Sequence, residues 1–315
     1  MGINFQNVAF RYSPLGKDIL QDINLEIEEN DEFVFILGHT GSGKSTLVQN
    51  INALLLPYKG KLNVMDHQVI TRYRHPIKLN TKLNKKRYNL NKSKHLFAKS
   101  NIPVYSRTLR NIRKHIGLVF QFPEYQLFES TVLKDVMFGP KNFKYSKEEC
   151  ERLAKEALEL VDFPKELYDR SPFLLSGGQM RRVAIAGILA INPDVIILDE
   201  PTVGLDPKGK DTLMNLLVDI QKKTHKSIII ISHDMNVVAR YAKRIIVMKQ
   251  SKIVYDGEKR RLFEDLDKLH EYNLDLPTVS SLSMELKKKN LINYKHLPLT
   301  IEELETVIKG GDIYE

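Results

Sequence analysis

Short apolar runs of strand length alternate with longer amphipathic stretches along this 315-residue chain, with glycines and prolines between them. Residues 33–37 (Phe-Val-Phe-Ile-Leu), 116–120, 195–198, Ser227–Ile231 and 245–248 are nearly continuous apolar runs, which predicts buried strands. Ile3–Phe10, residues 23–27 and residues 32–37 predict short strands, with a turn at Ser13-Pro14-Leu15-Gly16. Residues 46–56 place Leu47, Val48, Ile51 and Leu54/Leu55 at helical spacing. Tyr58-Lys59-Gly60-Lys61 turns into a strand at 62–64. Residues 131–170 are helical in pattern, with a cap at Ser146 ahead of two acids and an amphipathic run through Val161. Further helices are predicted at 180–191, ended by Asn192-Pro193, from Pro207 to about Lys223, and at 235–242. Alternating strands and helices predict an α/β sheet with a site built from the loops at its strand ends.

Charge changes that picture in one place. The net charge is +9, yet no Asp or Glu occurs from His67 to Pro123, while that stretch holds fourteen lysines and arginines; the rest of the chain is therefore at −5. Residues 71–105 are rich in Lys, Asn and Arg without a sustained apolar period and read as an exposed, partly disordered insertion. Its functional reading is contact with anionic lipid headgroups or RNA; the plainer reading is a solvated insertion in a Lys/Asn-rich chain. No apolar run approaches a membrane span, the N-terminus has no leader pattern, and the single cysteine, Cys150, suits a reducing compartment.

The chemistry concentrates at the predicted strand tips. Gly38-His39-Thr40-Gly41-Ser42-Gly43-Lys44-Ser45-Thr46 fits the phosphate-loop pattern G-x-x-x-x-G-K-[ST] between a strand and a helix. Its glycines let backbone N–H groups turn inward as an anion nest at the positive end of the helix. Lys44 adds a point charge for the β/γ-phosphates, and Ser45 a hydroxyl for Mg²⁺. Tyr12, before the first turn, is read with equal weight as a purine-stacking ring or a bland core or edge tyrosine. Gln121 ends one strand and, like Ser45, can reach Mg²⁺. Asp199 sits at another tip, placed to hold the metal's water shell, and the adjacent Glu200 is the candidate general base or water-positioner. His233, after the isoleucine strand, is placed to contact the γ-phosphate or the attacking water. Leu175-Ser176-Gly177-Gly178-Gln179 is a second glycine-rich helix start suited to an anion.

Taken in order, the phosphate loop, Gln121, 175–179, 195–200, Asp206 and His233 resemble the ATP-binding subunits of ABC transporters, from Ile3 to about Gly257 without the basic insertion. Residues 121–128, 138–143 and 176–187 look like energy-coupling factor transporter ATPases. Gly38-His39-Thr40-Gly41, Asp206-Pro207-Lys208-Gly209 and the tail segments 273–277 and 297–304 are similar to the second of that system's two ATPase paralogues. The resemblance implies an α/β fold of the ABC type: a RecA-like P-loop NTPase core with an antiparallel β subdomain and a helical subdomain at about 122–180. It also implies an ATPase domain over 1–250 and a small C-terminal extension over 251–315 that helps dimerisation. It gives Tyr12 the role of adenine-stacking ring. It assigns Ser176, Gly177, Gly178 and Gln179 to closing over ATP held by a partner subunit, and Asp206 to communication across the dimer.

The function so implied is an ATP-hydrolysing subunit, with ATP and Mg²⁺, that powers uptake of vitamins or other micronutrients. Its partners would be a paralogous ATPase or a second copy, a transmembrane coupling subunit and interchangeable substrate-binding membrane subunits, at the cytoplasmic face of the cell membrane. Motion would be transmitted through the segment from Gln121 to about Arg170. Ser251 stands where the family has a turn glycine, at small expected cost in an exposed hairpin. The alternatives are a soluble ABC ATPase acting on nucleic acid through the basic insertion, disfavoured by a single cassette without heptads, and a non-hydrolysing nucleotide sensor, disfavoured by Glu200 and His233.

Overall fold

The computed structural model of the chain describes residues 2–28, 33–69 and 105–313. Apart from Tyr105, the expected insertion at 71–105 lies outside the described residues.

Two sheets carry the fold. Strands β1 (Ile3–Phe10), β2 (Leu20–Ile27), β4 (Lys59–Val64) and β5 (His67–Val69) form an antiparallel sheet in the order β2-β1-β4-β5. The second sheet has the order β10-β9-β3-β8-β7-β6: β3 (Val34–Leu37), β6 (Ile116–Val119), β7 (Val195–Asp199), β8 (Ser227–Ile231) and β9 (Arg244–Lys249) are parallel, and β10 (Lys252–Glu258) is an antiparallel edge. Its apolar runs follow from burial on both faces. Along β8, Ile228 and Ile230 join a core with the helices, while Ile229 and Ile231 join the core against the antiparallel sheet. In β3, Phe35 and Leu37 likewise face one core and Val34 and Ile36 the other.

Helices α1 (Lys44–Ile51), α2 (Tyr105–His115), α3 (Val132–Asn142), α4 (Lys147–Leu160), α5 (Gly177–Leu189), α6 (Pro207–Thr224) and α7 (Met235–Tyr241) follow in order. The C-terminal part adds α8 (Lys259–Phe263), α9 (Leu266–Tyr272), α10 (Thr278–Lys288) and α11 (Ile301–Ile308). Helices α3, α4 and α5 pack on one another as a helical layer. The predicted cap at Ser146 is present: its hydroxyl accepts from the Glu149 amide.

Five expectations are corrected. The helix predicted over 46–56 stops at Ile51, because Asn52 turns its amide onto the Ile116 carbonyl, Ala53 adopts a left-handed φ of 54°, and Pro57 follows. The 131–170 segment is two helices followed by short 3-10 turns, and the helix placed at 180 starts three residues earlier. Order returns before Ile116, since α2 lies inside the basic stretch; Leu109 and Ile112 are its apolar contacts, too few to show a period. The β9–β10 hairpin lies at about residue 250, and the sheet runs on to Glu258. That hairpin is not free: Ser251, at φ 70°, donates to the Asp18 carbonyl and accepts from the Gln21 amide.

Candidate nucleotide site

The parallel order β3-β8-β7-β6 lines up four C-terminal strand ends, and each delivers a predicted residue: the Gly38–Thr46 loop, His233, Asp199–Glu200 and Gln121. The loop's glycines are required by the backbone. Gly38 runs at φ 138°, and a Cβ there would sit 2.1 Å from the Met248 carbonyl oxygen; Gly43, the N-cap of α1, is at φ 108°, and a Cβ there would sit 2.7 Å from Ile19 O.

Lys44 is buried, and its ammonium turns back on its own loop, donating to Gly38 O at 2.6 Å and His39 O at 2.9 Å. Burial lowers its pKa, against the pull of Glu200 and Asp199. Among the described residues Ser42 Oγ is buried without a hydrogen-bond partner. Burial raises the Asp199 carboxyl, opposed by a hydrogen bond from Ser45, while Glu200 adds to the rise and Lys44 offsets it. An ammonium turned onto loop carbonyls, a buried hydroxyl unpaired among the described residues and a buried carboxylate fit a polyphosphate with a divalent cation. Ser45, Asp199 and Gln121 offer the hard oxygen donors that Mg²⁺ takes. Among the described residues no group of three or more His, Cys, Asp or Glu forms a metal cluster.

Glu200 holds a left-handed backbone (φ 50°), with its amide on the Ile231 carbonyl at 3.0 Å. Its carboxylate meets Gln121 Nε2 at 3.3 Å and His233 Nδ1 at 3.4 Å. A cavity of about 150 Å³ adjoins it, lined by Gly204, Lys210, Ser232, His233 and Asp234 among others. Tyr12 is 63% exposed, which removes the reading as a core residue; its ring stands edge-on to Phe10 and its hydroxyl pairs with Thr46 Oγ1 at 3.0 Å.

Ser176 and Asp206 are brought to helix starts. Ser176 and Gln179 form a reciprocal capping box on α5, and Asp206 caps α6 through the Gly209 amide at 2.9 Å. Gly177 and Gly178 are exposed, and a Cβ on either would meet nothing within 4 Å. Neither has a positive φ. Their lack of a side chain thus serves no packing or turn need among the described residues.

One buried pair was missed by the sequence reading. Arg181, on the stripe Arg181, Ile185, Leu189 of α5, forms an ion pair with Glu124 at 2.8 Å. A charge at i, i+4 spacing with two core residues was its signal.

The comparisons with known proteins agree with this geometry. The ABC transporter family model matches residues 20–203. The energy-coupling factor transporter ATP-binding protein EcfA2 of Caldanaerobacter subterraneus is 44% identical over 306 residues, covering 96% of this chain and 95% of that protein. The protein of the same name from Streptococcus agalactiae is 43% identical over 314 residues, 99% of this chain and 100% of its own length. Among solved structures, cbiO1 from Clostridium perfringens, described as part of the ABC transporter complex cbiONQ, superposes with TM-score 0.67 at 34% identity over 90% of this chain and 98% of that one. A dimeric post-hydrolysis state of the ATP-binding cassette MJ0796 bound to ADP and Pi gives 0.61 at 30% identity, over 82% of this chain and 99% of that one.

Proposed function

This chain belongs to the ABC transporter family, as an energy-coupling factor ATP-binding subunit with ATPase function, and from that premise we propose how its residues divide the work. Lys44 and the amides of residues 38–46 hold the β- and γ-phosphates, and Tyr12 stacks on the adenine. Ser45, Gln121 and Asp199 would hold Mg²⁺, which would supply charge neutralisation for the phosphate oxygens. Glu200 orients the attacking water and takes its proton; Gln121 and His233, both within reach of its carboxylate, fix it against the γ-phosphate.

The observation that carries the dimeric reading is the bare start of α5. Gly177 and Gly178 stand in open space with no Cβ in the way, and the Ser176–Gln179 capping box holds the turn around them. They close over the ATP on another subunit's phosphate loop, and Asp206 lies on the loop that follows Glu200 toward the same interface. The partner subunit is a paralogous ATPase or a second copy, and residues 251–315 help hold the pair. Among the described residues no helix is long and apolar enough to cross a membrane. The dimer works at the cytoplasmic face of the cell membrane on a transmembrane coupling subunit, which serves interchangeable substrate-binding subunits for vitamins or other micronutrients. A nucleic-acid ATPase acting through the basic stretch draws no support from the relatives above.

Two measurements test this. Glu200→Gln should abolish ATP turnover and trap ATP-bound dimers; unchanged hydrolysis would remove Glu200 from its role. Purification of the chain from membranes should recover a second ATPase chain and a multispanning subunit, and recovery of ribosomes or DNA instead would contradict the importer.

A further inference from the structure

Arg181 lies one turn into α5, is 5% exposed, and has no part in the chemistry above. Its guanidinium joins three segments of chain. Nε and Nη2 donate to Glu124 Oε2 and Oε1 at 3.2 and 2.8 Å. Nη1 donates to Pro201 O at 2.9 Å, and both Nη1 and Nη2 reach Val203 O at 3.3 Å. Glu124 stands three residues past Gln121 in a 3-10 turn, and Pro201 and Val203 stand one and three residues past Glu200. The side chains of the pair are 7% and 13% exposed. Burial alone would raise the Glu124 carboxyl, but the Arg181 hydrogen bonds, a backbone hydrogen bond and the guanidinium charge hold it below its ordinary value.

We propose that Arg181 is a positioning residue for hydrolysis, tying the Gln121–Glu124 turn and the backbone beyond Glu200 to the helix that begins at Gly177. The proposal rests on the reading of Glu200 as the water-orienting carboxylate. Glu200 is held on one side by the hydrogen bond its amide donates to the Ile231 carbonyl and on the other by the carbonyls that Arg181 gathers. Its carboxylate is held in turn by Gln121, from the segment that Glu124 anchors. When α5 shifts to meet a partner's nucleotide, Gln121 and Glu200 move with it as one body and keep their mutual aim. Only a planar fork spans a carboxylate and two carbonyls on different sides; a lysine ammonium cannot. The phosphate loop takes no part in these bonds, so loss of the fork should misplace the water and leave nucleotide binding alone.

The test uses the full chain in its assembled ATPase dimer, comparing Arg181→Lys, Glu124→Gln and the double variant Arg181→Met/Glu124→Leu. The double variant leaves neither charge of the pair buried alone, so it should recover the thermal midpoint that the single changes lower. In all three, kcat is expected to fall about tenfold or more with KM for MgATP within about twofold of wild type. A wild-type kcat, or a kcat that recovers together with the midpoint in the double variant, overturns the proposal by reducing the pair to a structural one. Glu200→Gln measured alongside separates the two readings. Wild-type turnover there removes the role of Glu200 and with it the target of Arg181; a dead Glu200→Gln beside fully active Arg181 variants removes the positioning role alone.

Discussion

The phosphate site holds groups whose charged forms burial disfavours. Lys44 is buried against its own carbonyls and Asp199 is a carboxylate whose ionised form burial disfavours. Because the Asp199 pKa is raised in the folded chain, ionising it costs stability: the loss begins as pH rises through the ordinary value of 3.8 and is complete above the raised one. Asp199→Asn should therefore raise the thermal midpoint of the nucleotide-free chain at neutral pH and flatten its decline with pH, while abolishing hydrolysis. Melting curves across pH check this, and a lowered midpoint would contradict it. Such trades of stability for function are expected at active sites. The residues of the phosphate loop were legible in the sequence because local backbone geometry demands glycine at Gly38 and Gly43, and the phosphate-loop pattern sets Lys44 directly after the second of them. Glu124 and Arg181 lie 57 residues apart and meet only through the packing of α5 on the turn after Gln121, which no local pattern encodes.

At the scale of elements, apolar periodicity placed the buried parallel strands closely, because both faces of β3, β7 and β8 are covered and the run length alone marks them. Periodicity placed helix ends less well. Leu54 continued a helical stripe in the sequence, yet it is 43% exposed and beyond the turn at Ala53, where a long-range bond from Asn52 to Ile116 decides the ending. Helix α2 was hidden by its basic composition; Arg110 and Lys114 are not idle charges, lying over the rings of Phe143 and Tyr145 and fastening α2 to the end of α3 and the segment beyond it. The start of α5 gives the sharpest prediction at this scale. Gly178→Asp has open space and a helix N-terminus, where an acid stabilises by about 0.3–1 kcal/mol. The chain should fold with an unchanged or higher midpoint and yet lose ATP hydrolysis, because the new carboxylate opposes a partner's γ-phosphate. Retained hydrolysis, measured beside the melt, would show that this turn faces no phosphate.

For the molecule as a whole, the ATPase core and the tail are less separable than composition suggests. Strand β10 completes the sheet, and Leu269, Tyr272, Leu297 and Leu299 share the core of β3 and β8. In the proposed dimer, by contrast, the phosphate loop is half of a site, and the other half is carried by a different subunit. That claim is tested most directly by placing two lesions, Lys44→Ala in the loop and Gly178→Asp in the cap, either in one subunit of the dimer or split between its two subunits. The readout is ATP retained per dimer through gel filtration, in a background where Glu200→Gln blocks hydrolysis. If each site joins one subunit's loop to the other's cap, splitting the lesions spoils one site and leaves the other able to retain its ATP, whereas both lesions in one subunit spoil both sites and nothing is retained. The reverse pattern, with ATP retained when the lesions share a subunit and lost when they are split, would mean that each chain closes its own site.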